Sequence, residues 1–143
     1  MARASGKDLV FKIDDSGGTL RDISTHVTSV AGLPGARALD DATGAGEGGD
    51  KSLPGLFSGS FTVSGWFDTT ATTGSHTVLN GLRTHTATSS FEYGPGGGGT
   101  GAIKLSGESW MESLTYDAEV RGGVVPFEAQ FKVDGTVTTG TFS

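Results

Sequence analysis

The sequence predicts a mainly β protein, an antiparallel β-sandwich or barrel with one short flanking helix and a long loop between two strands. Three observations carry that reading. Apolar and polar residues alternate with a period of two in FSGSFTVSGWFD (57–68) and again over 125–133, the mark of strands with one face buried. Helical spacing occurs in one segment, SHTVLNGLR (75–83). Glycine is abundant, 25 of 143 residues, which suits many turns.

Taken in order, Leu9, Phe11 and Ile13 precede DDSGG (14–18), and Leu20 and Ile23 follow it, a hairpin pattern. A short strand over 27–31 runs into Leu33-Pro34-Gly35, and the same tripeptide returns at Leu53-Pro54-Gly55. These two turn signals fence a loop at about 34–54. The strand over 57–68 then places Phe57, Gly59, Phe61, Val63, Gly65 and Phe67 on one face, with Trp66 the odd residue on the polar side. Val78, Leu79 and Leu82 define the helix, with Ser75 as its cap. A strand over 87–93 ends in GPGGGGTG. Ile103 and Leu105 resume the alternation, and a phase slip near Trp110 predicts a bulge. Val125, Phe127, Ala129, Phe131 and Val133 form the last clear face, after which Asp134-Gly135 predicts a two-residue turn into TVTTGTF. FKID (11–14) and FKVD (131–134) echo each other without establishing a repeat.

The 143 residues fit one domain, 1–143, long enough to bury its own core. With no cysteine, disulfides, zinc-thiolate sites and thiol nucleophiles are excluded. Sixteen acidic residues against ten basic ones, a net charge of −6, argue against tight nucleic-acid binding, which rests on Lys and Arg neutralising phosphates. The opening MARASGKDLVF lacks the apolar stretch of a secretory signal, and no run approaches the roughly 20 apolar residues of a membrane span. A soluble chain made in the cytoplasm, with no membrane partner, is expected.

The stretch GAGEGGDKS (44–52) satisfies G-x-G-x-x-G and lies one residue from a P-loop. Its context is wrong. No β-branched strand precedes it, Pro54-Gly55 stops any helix after it, and Asp40, Asp41, Glu47 and Asp50 put negative charge where phosphate would sit. His26, His76 and His85 lack metal-ligand spacing, no serine sits in a G-x-S-x-G elbow, and 40–50 lacks a calcium-loop order. Glu108, Glu112, Glu119 and Glu128 could form a hydrolytic pair only if a cleft joined them, and solvated faces are the better reading. The sequence therefore predicts no enzyme, no metal and no cofactor.

Taken together, FKIDDSGGTLRDIS (11–24), GLPG (32–35), FTVSGWFDTTATTGS (61–75), TSSFEYGPGGGGTGAIKLSGE (88–108) and FKVDGTVTTGTF (131–142) resemble the major tail tube proteins of long-tailed, siphovirus-like bacteriophages and related phage-derived tail particles. The resemblance spans nearly the whole chain and rests on order and spacing. It implies a virion structural protein, six copies of which form a ring whose inner strands join into a barrel. Stacked rings then make a hollow tube through which DNA leaves the particle. Implied partners are further copies of the chain, other tail proteins (tape measure, tail tip, terminator), and DNA in transient, non-specific passage. The loop at 34–54 maps onto the family's inter-ring loop, so Arg37, Leu39, Asp40, Asp41, Glu47, Asp50 and Lys51 become inter-ring candidates; its GAGEGGD core is more glycine-rich and acidic than the family pattern.

Fixing such a loop costs on the order of 20 kcal/mol, which Leu39 and a few alanines do not offset. The loop is thus expected to be mobile alone and to order against a partner. A DNA conduit needs a polar wall poor in Lys and Arg, for which Glu108, Glu128 and Gln130 are candidates. Two other readings share the polar β composition: a capsid decoration protein, and a carbohydrate-binding module whose Trp66, Tyr93 and Trp110 form one exposed strip.

Overall fold

The computed structural model describes residues 3–143. Nine strands follow in order: β1 (Val10–Asp14), β2 (Leu20–Asp22), β3 (Val27–Ala31), β4 (Ala36–Asp41), β5 (Ser52–Ser58), β6 (Ser60–Trp66), β7 (Ser89–Gly94), β8 (Ile103–Tyr116) and β9 (Pro126–Thr141). Between β6 and β7 lies the helix α1 (Ser75–Leu79), which tightens into 3-10 turns over Asn80–Thr84. Seven strands form one antiparallel sheet in the order β2-β1-β7-β8-β9-β6-β3, while β4 and β5 pair only with each other.

The large sheet folds over on itself. β6 and β7 are three strand spacings apart, roughly 14 Å on a flat sheet, yet the rings of Phe61 and Phe91 lie 4.8 Å apart between centroids. Phe61 also stacks on Phe131 at 4.9 Å and meets Phe11 of β1 edge-on at 6.1 Å. One layer therefore holds β2, β1, β7, the first half of β8 and the second half of β9. The other holds the second half of β8, the first half of β9, β6 and β3. Phe11, Ile13, Phe61, Val63, Phe91, Phe127, Ala129, Phe131 and Val133 fill the space between, as the alternation predicts.

β8 and β9 run through both layers, and irregularities let them bend. Glu112 is an extra residue between Met111 and Ser113, close to the phase slip at Trp110. Opposite Gly107, β9 spends three residues, 135–137, between the pairs Glu108↔Asp134 and Ser106↔Thr138. This corrects the expected turn at Asp134-Gly135. Gly135 does take a positive φ of 90°, but the strand continues to Thr141, because the 14-residue β8 offers a ladder to both halves.

Three further expectations change. The strand over 57–68 is broken at Gly59: Ser58 ends β5, whereas Ser60 pairs with Lys132 of β9. The loop at 34–54 contains two paired strands in place of irregular backbone. Ser75 is the first helical residue and Gly74 the cap; Ser75 is buried, its Oγ donating to Trp66 O at 2.6 Å and accepting from Asp68 N at 3.0 Å. The predicted helix over 75–83 is otherwise present, and buries Val78, Leu79 and Leu82.

Candidate assembly surfaces

β4 and β5 form an arm. Its register pairs Arg37 with Phe57, Leu39 with Pro54, Asp40 with Leu53 and Asp41 with Ser52, and every residue of β4 is exposed. The root is a socket for Phe57. A Cβ on Gly35, whose φ is 113°, would come within 2.6 Å of the Phe57 ring, and one on Gly59 within 2.8 Å. Only glycine lets the ring lie there against the core. The tip is held by Ala42 N donating to Lys51 O at 2.8 Å and Lys51 N donating to Thr43 Oγ1 at 2.8 Å. Thr43 N donates to Asp41 at 2.9 Å, and this bond, with the Thr43 hydroxyl, holds the Asp41 carboxyl below its ordinary value.

Of the inter-ring candidates, Glu47 and Lys51 pair with each other at 3.4 Å. The side chains of Arg37, Asp40 and Asp50 have no polar partner among the described residues. Leu39 and Leu53 are each 60% exposed and Leu56 88%. The arm thus presents free charge and free apolar surface together, and a two-stranded ribbon of this kind is marginal by itself in water.

The outward face of the large sheet is polar and continuous. Register puts Thr62 and Ser64 of β6 beside Gln130 and Glu128 of β9, and these beside Ser113 and Thr115 of β8. Gln130 Nε2 donates to Glu128 Oε1 at 3.4 Å, so two of the three wall candidates sit together in one layer. Glu108 lies on the same face but in the other layer, opposite Asp134, and accepts from the hydroxyls of Thr88 and Ser90. Trp66 and Trp110 share this face, 45% and 40% exposed, but Tyr93 packs against the core. The three-ring strip of a carbohydrate module is therefore not formed.

The histidines are dispersed. His26 lies 3.8 Å from Asp68, His76 Nδ1 is bonded to Tyr116 Oη at 2.8 Å with Phe67 against both rings, and His85 stands apart. Burial pushes the Tyr116 phenol up, partly offset by Arg83. Among the described residues no group of three or more His, Cys, Asp or Glu is placed to hold a metal, and no helix is long and apolar enough to cross a membrane. The Phe57 socket is a feature sequence reading missed, although GLPG and SGS, with a glycine on either side of the arm, were its visible signal.

No protein-family model and no curated protein matches the chain. Solved structures do. The SPP1 tail tube, determined by solid-state NMR and cryo-electron microscopy, superposes with a TM-score of 0.74 over 99% of this chain and 81% of that one, at 15% identity. A chain from the tail of an empty gene transfer agent particle, refined with C6 symmetry, gives 0.72 over 97% and 100%, at 17% identity. A chain of the sheath-tube complex of an extracellular contractile injection system gives 0.69 over 98% and 93%, at 16% identity. At these identities the likeness is one of fold: this chain has the fold found in the SPP1 tail tube.

Proposed function

We propose that the protein is a structural subunit that assembles into six-membered rings, and that the rings stack into a phage-type tail tube through which DNA passes. The observation that carries this reading is the whole-length match in fold to the SPP1 tail tube, and the six-fold arrangement is taken from the C6 symmetry of the gene transfer agent tail. The role is structural, not enzymatic. Its partners are other copies of the chain and the proteins that cap and terminate such tubes, as in the anti-feeding prophage cap and the injection-system terminator that share the fold.

Open strand edges suit ring closure. β3 has a ladder partner on one side only, and β8 beyond Ser109 pairs only with β9, so the layer containing β6 has an unpaired edge at each end. Pairing β3 of one copy with residues 110–116 of the next satisfies both edges and puts Glu128 and Gln130 on the inner wall. Negative-stain imaging of the concentrated protein, with native mass spectrometry of the dilute protein, tests the proposal. Tubes and hexamers are expected; a monomer at every concentration would overturn it.

The wall assignment has its own test. Glu128 is exposed, so Glu128→Lys should leave the melting temperature unchanged. In tails built from the variant, a ring of added positive charges should slow genome release. Release at the wild-type rate would remove Glu128 from the wall.

A further inference from the structure

At the far end of the polar face, Phe142 is buried, with two lysine ammoniums near its ring. Its N–H donates to Ala102 O at 2.9 Å and its carbonyl accepts from Gly101 N at 2.8 Å. The ring rests on Gly94, where a Cβ would come within 2.7 Å of it. Lys12 Nζ from β1 and Lys104 Nζ from β8 each lie 5.7 Å from its centroid. Neither ammonium has a carboxylate within ion-pair distance among the described residues, although Glu92 and Asp22 stand opposite Lys12 on the adjacent strands. The ring's negative face holds both cations without neutralising them. An apolar hollow of about 450 Å³, lined by Ala4, Pro95, Gly96, Gly101, Ala102 and Ile103, adjoins the Phe142 backbone through Gly101 and Ala102.

The arm has the complementary character. Residues 40–50 contain Asp40, Asp41, Glu47 and Asp50 and no Lys or Arg. The cross-strand pair Asp40↔Leu53 sets an unpartnered carboxylate beside an exposed leucine. The arm leaves its own chain where Gly59 O accepts from Val133 N; on the partner strand β8, Val133 and Thr141 stand opposite Ser109 and Ile103, a span of roughly 20 Å at strand rise. Donor and receptor are therefore different surfaces at opposite ends of one strand segment. A contact between unlike surfaces does not close on itself in a pair; it passes from copy to copy.

We propose that the Lys12–Phe142–Lys104 clip and the hollow beside it receive the acidic arm of a second copy, making this the receptor for ring stacking. The proposal rests on the tube reading for its geometry. Reversing the clip with Lys12→Glu and Lys104→Glu should leave hexamers intact and abolish tubes, and adding Asp40→Lys and Asp50→Lys to the same chain should restore them. A carbodiimide, which joins carboxylates directly to amines, should cross-link Lys12 or Lys104 to Asp40 or Asp50 between copies of the wild type. Tubes from the clip-reversed chain, no recovery in the compensated chain, or no such cross-link would each overturn the clip. Absence of wild-type hexamers would instead overturn the tube reading, and the cross-link would still decide whether arm and clip meet.

Discussion

Ser75 is a polar residue placed in the core by its two bonds. Its Oγ joins the end of β6, through Trp66 O, to the backbone of Asp68, and so anchors the start of α1. Ser75→Ala would leave a part-buried carbonyl and amide without this partner, a cost of about 1–2 kcal/mol, and should lower Tm by roughly 3–6 °C. An unchanged melt would show that these bonds contribute nothing. Asp15 gives a pH signature. The Arg21 side chain, 2.9 Å away, is the main cause holding its carboxyl below the ordinary 3.8, with the N–H groups of Thr19 and Gly17 adding to it against partial burial. A depressed carboxylate stabilises the fold above the unfolded value, and that stabilisation is lost as pH falls through the folded one. Wild-type stability should therefore drop below about pH 4, and Asp15→Asn should flatten that part of the curve; identical acid profiles would contradict this. Neither role was legible in the sequence, since Ser75 has the residue type and position of a cap.

At the scale of elements, what the sequence disclosed was burial. Alternation located β6, β7 and the first half of β9 because one face of each meets the core. It did not disclose partners. Phe57 has the right phase to extend β6 but belongs to the arm, since β5 turns away at Gly59 to pair with β4. Asp134-Gly135 has the composition of a turn but lies within a strand, since β8 is long enough to pair beyond it. The strands of the arm escaped detection because β4 is exposed on both faces and carries no period. Phe57 fastens that arm to the body, so Phe57→Ala should leave the sandwich folded while amide exchange over 36–58 accelerates severalfold. Protection of the arm equal to wild type would show that its own ladder suffices.

The whole molecule couples a two-layer body to a projecting ribbon that leaves Leu39, Leu53 and Leu56 exposed and Asp40 and Asp50 without a polar side-chain partner among the described residues. Finding strands within this segment changes its backbone from the expected loop, and a two-stranded ribbon without a third surface is marginal in water. GAGEGGDKS, which has the spacing of a phosphate loop, is the tip of this ribbon. Its glycines suit close approach to another backbone, and its acids suit a cationic receptor. What no sequence pattern could show is the receptor, because Lys12, Lys104 and Phe142 come together only through the ladder of β1, β7, β8 and β9. Electron microscopy of the full chain beside a chain lacking residues 44–49, with both shown to melt cooperatively at the same temperature, tests the central claim most directly. Long tubes from the full chain and isolated six-membered rings from the shortened one are the predicted result; tubes of normal length from the shortened chain would contradict it.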